Sequence, residues 1–204
     1  MEFKGIHQTA IIHKNAELGD NITVGPYAVI GENVKLGNNV IVGSHALIEG
    51  YTKIGNDCKI FPKAMVGTDP QDLKYKKEKS FVEIGENNVI RECVTINPGT
   101  HENEVTKIGN NNLIMAYSHV AHNCEVGSNV IMANAATLAG HVVLEDFVVI
   151  GGLSAVHQFV KIGEYVMVGG CTGVVKDVVP FCLINGYPAV LSGLNNVGLK
   201  RRGF

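Results

Sequence analysis

Four of the chain's eight histidines, His119, His122, His141 and His157, fall within one short stretch of its second half. Imidazole is the side chain whose ordinary pKa lies closest to neutral pH, and it is also a common zinc ligand. A group of histidines can therefore do acid–base chemistry, hold a metal, or line an anion site. Neutral imidazoles suit zinc, but no carboxylate or cysteine joins these four at ligand spacing. Acid–base chemistry is the better fit, since one histidine with a pKa of about 6.5 suffices for it.

The elements that must position them are written in a strict period. Of the 29 positions divisible by six from Ile6 to Val174, only Asp72, Glu78 and Glu102 are not aliphatic or Met. Six is neither the 3.6 of an amphipathic helix nor the 2 of a lone strand. It is a short strand plus a corner, repeated, which makes a β-solenoid. Three strands and three corners give a triangular coil of 18 residues, and successive coils stack as parallel strands about 4.8 Å apart. Counted around such a coil, His119, His157, His122 and His141 fall at phases 11, 13, 14 and 15. All four then lie at one corner or its flanks, on outward positions, within roughly 10–15 Å along the axis. Thirteen of the 24 glycines directly follow a repeat aliphatic, where a corner with positive φ is expected.

The repeat predicts an all-β, triangular-prism solenoid over residues 1–180 and a non-repeating tail over 181–204, the period being lost after Val174. Two excursions leave the prism, at 67–83 and at 97–107. The first carries Gln71, Asp72 and the lysines Lys74, Lys76, Lys77 and Lys79. Loops this long on so regular a scaffold are usually functional. Residues 1–5 are expected to cover one end of the apolar column.

Composition removes other classes. A formal charge of −2 excludes a general nucleic-acid binder. The N-terminus has no charged leader followed by an apolar core, and no apolar run approaches the ~20 residues of a membrane-spanning helix. The expectation is a soluble cytoplasmic protein. The five cysteines form no CxxC pair; Cys58 and Cys124 recur where Ala, Val, Ser and Thr also stand and read as small core fillers rather than a disulfide framework.

QDLKY at Gln71–Tyr75, HVAHNC at His119–Cys124, ATLAGH at Ala136–His141, GGLSAVHQF at Gly151–Phe159, VMVGGCTGV at Val166–Val174 and the terminal LKRRGF occur in this order. Together they resemble the UDP-N-acetylglucosamine 3-O-acyltransferases, hexapeptide-repeat enzymes that open lipid A biosynthesis, over the whole chain. The resemblance implies a left-handed parallel β-helix, a homotrimer with active sites between subunits, and neither metal nor cofactor. It implies transfer of a 3-hydroxyacyl group from acyl carrier protein to the glucosamine 3-hydroxyl of UDP-N-acetylglucosamine. His122 matches the family's general base and the Gly140 N–H its oxyanion donor. Asp72 and Lys74 match residues that hold the sugar, and Gln71, His119, His141, His157 and Gln158 match others lining the cleft. Asn195 matches a further substrate-binding residue, Arg201 and Arg202 match the nucleotide side, and Gly170 matches the position that limits acyl-chain depth. Asn123 stands where relatives often have Asp, Asn97 where a relative has His, and Val197 where an acidic residue is found. The family's C-terminal helical domain lies beyond LKRRGF.

Three other readings stand beside this one. They are the related N-acyltransferase of the same pathway, which carries an extra N-terminal domain, a zinc carbonic anhydrase on the same fold, and a non-catalytic solenoid serving in assembly.

Overall fold

The computed structural model describes residues 4–204. Three parallel sheets wind into one prism. The first, of nine strands, runs from Ile11–Ile12 to Gly173–Val174, and the second, of eight, from Glu17–Leu18 to Lys161–Ile162. The third, of ten, starts at Thr23–Val24. Most strands are two residues long because the period leaves four of every six residues for the corner.

The repeat aliphatics pair with one another from coil to coil, as in Ile114↔Met132 and Val120↔Leu138. They fill the prism with a buried column in which Ile48, Ile96, Val120 and Leu138 are wholly inaccessible. A second inward column stands four residues after each of these. Cys58 and Cys124 occupy it, fully buried among alanines and valines, and all five cysteines are free.

The corner glycines are there for a different reason than the period suggested. Positive φ falls three residues after the aliphatic, at Asn123 (+61°) and His141 (+61°) among others. The glycine directly after the aliphatic is instead needed for close approach. A Cβ on Gly151 would lie 2.5 Å from the backbone nitrogen of Gly170 in the next coil, so any side chain there would force the coils apart.

The two excursions together absorb one whole coil of sequence. Val66 pairs with Ile96 and Ile96 with Val120, offsets of thirty and twenty-four residues instead of eighteen. Numbers beyond Ile108 therefore return to their original phase, which is why the four histidines could be placed by counting. Strand pairing resumes at Phe81 and at Val105, so both loops end a few residues earlier than the repeat alone suggested.

After Val174 the sequence period fails but the sheet does not. Cys182–Asn185 adds a parallel rung through Leu183↔Met167 and Ile184↔Val168, and Val190–Leu194 folds back antiparallel on it. A short helix, Asn196–Arg201, follows. At the other end the Gly5 carbonyl accepts the Val24 N–H at 3.0 Å; the cap expected from residues 1–5 otherwise involves residues 1–3, which lie outside the described residues.

Candidate active site

The histidine corner follows the first sheet. In HVAHNC, Val120 and Cys124 point inward, which turns His122 and Asn123 outward at the bend. Adjacent coils bring their corners together in register. His122 and His141 meet edge to face, with ring centroids 5.2 Å apart, and His141 stacks on Phe159 at 4.6 Å. His119 Nδ1 lies 2.7 Å from Thr95 Oγ1 in the coil before. His157 and Gln158 sit exposed at the same corner one coil further, and His157 Nδ1 donates to the Gln158 carbonyl at 3.2 Å.

Gly140 stands directly against His122. A Cβ there would be 2.4 Å from the imidazole Cε1 and 2.5 Å from Nε2. Its N–H finds no acceptor among the described residues. At a different corner the equivalent N–H groups are capped by side chains, Asn38 by Asn56 Oδ1 at 2.8 Å and Ser128 by Asp146 Oδ1 at 2.7 Å. The histidine corner thus keeps a free backbone donor beside an imidazole, the pair of groups that acyl transfer requires.

Both excursions fold back onto this corner. The first delivers Asp72, whose Oδ2 is 3.9 Å from His122 Nε2 and whose Oδ1 accepts the Lys74 N–H at 2.8 Å. Gln71 is exposed beside it. The second excursion supplies Thr100 and Glu104. His122 Nδ1 is 2.9 Å from Asn123 Oδ1, and Asn123 Nδ2 donates to Glu104 Oε2 at 2.7 Å. Buried Asn97 ties the loops together, donating from Nδ2 to the carbonyls of Thr68 at 3.0 Å and Asp69 at 3.2 Å.

Burial, and then the neighbouring His122, hold both His119 and His141 below the ordinary imidazole pKa. Both are thus biased toward the neutral form; His119 is hydrogen-bonded to Thr95, while His141 makes ring contacts with His122 and Phe159. Burial pushes the Glu104 carboxyl up, but hydrogen bonds from Asn123, His101 N–H and Thr100 N–H outweigh it, and the group is held below the usual carboxylate range. Glu104, Thr100 and Thr95 escaped the sequence reading. Glu104 and Thr100 lie where no period runs, and the Thr95–His119 register depends on the length of a loop. Among the described residues, no three His, Cys, Asp or Glu side chains are placed to share a metal.

The remaining predicted residues lie elsewhere on the prism. Gly170 is at the edge between the third and first sheets. Its added Cβ would meet only the Gly152 carbonyl, at an ordinary 3.5 Å. Asn195 and Arg202 are at the edge between the second and third sheets, where the Arg202 guanidinium lies over the Phe147 ring, 4.7 Å from its centroid. Asn195 caps the final helix, accepting the Gly198 N–H at 3.1 Å and donating to the Tyr165 carbonyl at 2.9 Å. Arg201 is exposed on that helix. Each of the three edges carries one part of the predicted site.

Residues 15–50 and 106–140 match the bacterial transferase hexapeptide family (six repeats), and residues 177–204 match "Udp N-acetylglucosamine O-acyltransferase; Domain 2". The acyl-[acyl-carrier-protein]–UDP-N-acetylglucosamine O-acyltransferase of Aliarcobacter butzleri is 60% identical over 198 residues, covering 97% of this chain and 76% of that protein. The chain belongs to this acyltransferase family. The Janthinobacterium sp. enzyme of the same name is 55% identical over 200 residues, 98% of this chain and 76% of that one. Among solved structures, the UDP-N-acetylglucosamine acyltransferase from Campylobacter jejuni superposes with a TM-score of 0.94 at 48% identity, covering 98% of this chain and 79% of that one. The Francisella novicida UDP-N-acetylglucosamine acyltransferase gives 0.96 at 42%, covering 98% and 74%. The prism is thus the left-handed β-helix of these acyltransferases, a hand that right-twisted strands seldom adopt. No helix among the described residues is long and apolar enough to cross a membrane.

Proposed function

We propose that this chain moves a 3-hydroxyacyl group from acyl carrier protein to the 3-hydroxyl of UDP-N-acetylglucosamine in the cytoplasm, the first step of lipid A biosynthesis, with His122 as general base. One observation carries the reading: an imidazole is packed against Gly140, a residue without a side chain whose N–H is left unpaired among the described residues. Asn123 Oδ1 faces His122 Nδ1, and an amide oxygen can only accept, so Nδ1 keeps its proton and Nε2 its lone pair. Nε2 takes the proton of the sugar hydroxyl as that oxygen attacks the thioester carbonyl. The Gly140 N–H meets the oxyanion. Collapse breaks the carbon–sulfur bond, and the imidazolium returns the proton to the departing thiolate.

Asp72, beside Nε2, and Lys74 hold the sugar in this reading, with Gln71, His119, His141, His157 and Gln158 lining the cleft. Arg201 and Arg202 serve the nucleotide, where a planar guanidinium suits phosphate, Asn195 is a further substrate-binding group, and Gly170 bounds the acyl tail. These groups lie on three different edges of one prism, so a complete site needs neighbouring copies, and a homotrimer supplies them. The surface agrees. The third sheet turns Ile41, Val89, Leu113, Ile131 and Val149 outward, and the first turns out Val29, Leu47 and Met65, whereas the second presents Lys35, Lys53, Glu83, Lys107 and Glu125. Two apolar faces suit contacts with two neighbours, and a charged one suits water.

The test is turnover of purified protein with UDP-sugars and a panel of acyl carrier protein thioesters, together with equilibrium sedimentation. Acylation of UDP-N-acetylglucosamine by a trimer is expected; no transfer from any thioester overturns the reading.

A further inference from the structure

We propose that Glu104 is a positioning residue for His122, fixing its tautomer through Asn123 and supplying the negative charge that stabilises its protonated form. The inference rests on the reading of His122 as general base. A carboxylate accepts and cannot donate, so Asn123 must turn its amide nitrogen toward Glu104 Oε2, at 2.7 Å. That places Oδ1 on His122 Nδ1, at 2.9 Å. The Thr100 N–H, 3.2 Å from the same Oδ1, favours the same orientation. Were the amide flipped, it would donate to Nδ1, and Nε2 would carry the proton and be useless as a base.

Asn123 is neutral and offers an imidazolium little charge compensation. Glu104 stands one hydrogen bond further out and is fastened there by the Thr100 N–H at 3.1 Å and the His101 N–H at 2.9 Å. The other titratable groups facing His122 are Asp72 at 3.9 Å, His141 with ring centroids 5.2 Å apart, and His119, whose pKa His122 helps to depress. His101, beside Glu104, acts on both Glu104 and His141. Asp72 belongs to a loop that also faces the substrate side. Glu104 is the carboxylate joined to His122 by an unbroken set of hydrogen bonds.

The experiment compares Glu104→Gln, Asn123→Asp and the double variant in the full chain. It reads kcat/KM against pH and the His122 titration by NMR without substrate. Glu104→Gln removes a nearby opposite charge, so the acid limb of kcat/KM and the His122 NMR titration should both move to lower pH. The plateau of kcat/KM should be about tenfold lower, with the sugar KM unchanged. Asn123→Asp alone sets two carboxylates against each other and should lose more than the Glu104→Gln variant. In the double variant the amide introduced at position 104 can donate to the carboxylate introduced at position 123. Activity should then return to within about threefold of the parent.

A merely structural Glu104 would not produce that reversal. A Glu104→Gln variant with an unmoved limb, or a double variant no better than Asn123→Asp alone, overturns the proposal. Should Glu104→Gln fail to fold, Asn123→Ala cuts the link while leaving Glu104 on its loop; an unmoved His122 titration there overturns it equally. If His122→Ala retains turnover, the general-base reading falls, and the NMR titration still decides by itself whether Glu104 sets this imidazole.

Discussion

Gly140 and His122 share one side-chain space: a methyl carbon on Gly140 would sit 2.4 Å from the imidazole Cε1. The ring lies against backbone that has no side chain to deflect it, and the same backbone presents its N–H beside the ring. The proposed base and the proposed oxyanion donor are placed by a single contact between consecutive coils.

Gly140→Ala should therefore misplace the proposed base, His122, without touching its chemistry. The ring must swing aside, and a displacement of that size costs on the order of 10²-fold in rate. Steady-state kinetics alongside thermal melts check it. Near-parent kcat, or a loss of rate matched by loss of fold, would speak against the shared-space account.

His122→Ala should abolish turnover and leave the fold intact. The side chain is outside the apolar column, so no core cavity opens, whereas losing a general base costs about 10²–10⁴-fold. Circular dichroism and a turnover assay on the same sample decide between catalytic and structural loss.

Gly170→Met should shorten the preferred acyl donor. The site has room, since an added Cβ meets only the Gly152 carbonyl at 3.5 Å. Each methylene held in an apolar groove is worth about 0.8 kcal/mol, and forcing a long chain past the new side chain should cost about 1–3 kcal/mol. Competition between two donor lengths measures it; an unchanged ratio means that Gly170 does not gauge the chain.

Acidification should destabilise the protein in two stages of the same sign. His119 and His141 have pKa values lowered from 6.5, so below that pH the unfolded chain binds protons that the fold refuses. Glu104 is lowered from 4.5, and its contribution, present above that value, is lost as pH falls through the folded pKa. Thermal melts from about pH 8 to about pH 3 should show falling Tm, with the first stage reduced in His141→Gln. A Tm that rises on acidification would contradict both assignments.

Salt should weaken the apparent affinity for the acidic acyl carrier protein. Lys77 is paired with Asp69 and Lys79 lies over Tyr51 at 4.7 Å, while Lys74 and Lys76 are exposed without an ion pair among the described residues. Lys76→Glu should raise the carrier KM severalfold at low salt and have little effect at high salt, since exposed charges are screened over about 10 Å at 0.1 M. A KM indifferent to salt in the parent removes the electrostatic contribution.

The prism, its core and the gathering of His119, His122, His141 and His157 at one corner were determined by the sequence by itself. In a solenoid each coil touches only its neighbours, so a six-residue spacing fixes both the inward column and the angular position of every residue. The contacts of that corner with the loops are of another kind. Glu104 reaches Asn123 and Asp72 reaches His122 through two aperiodic excursions, whose closure depends on Asn97 and on non-local hydrogen bonds that no spacing encodes. The corner glycines also needed coordinates: a periodic Gly looks the same whether it serves a positive φ, as at Gly67, or the close passage of the next coil, as at Gly151. Tertiary structure alone placed Asn195 and Arg202 on the edge beside Tyr165 and Phe147, because after Val174 no period remains to fix where the chain lies around the axis.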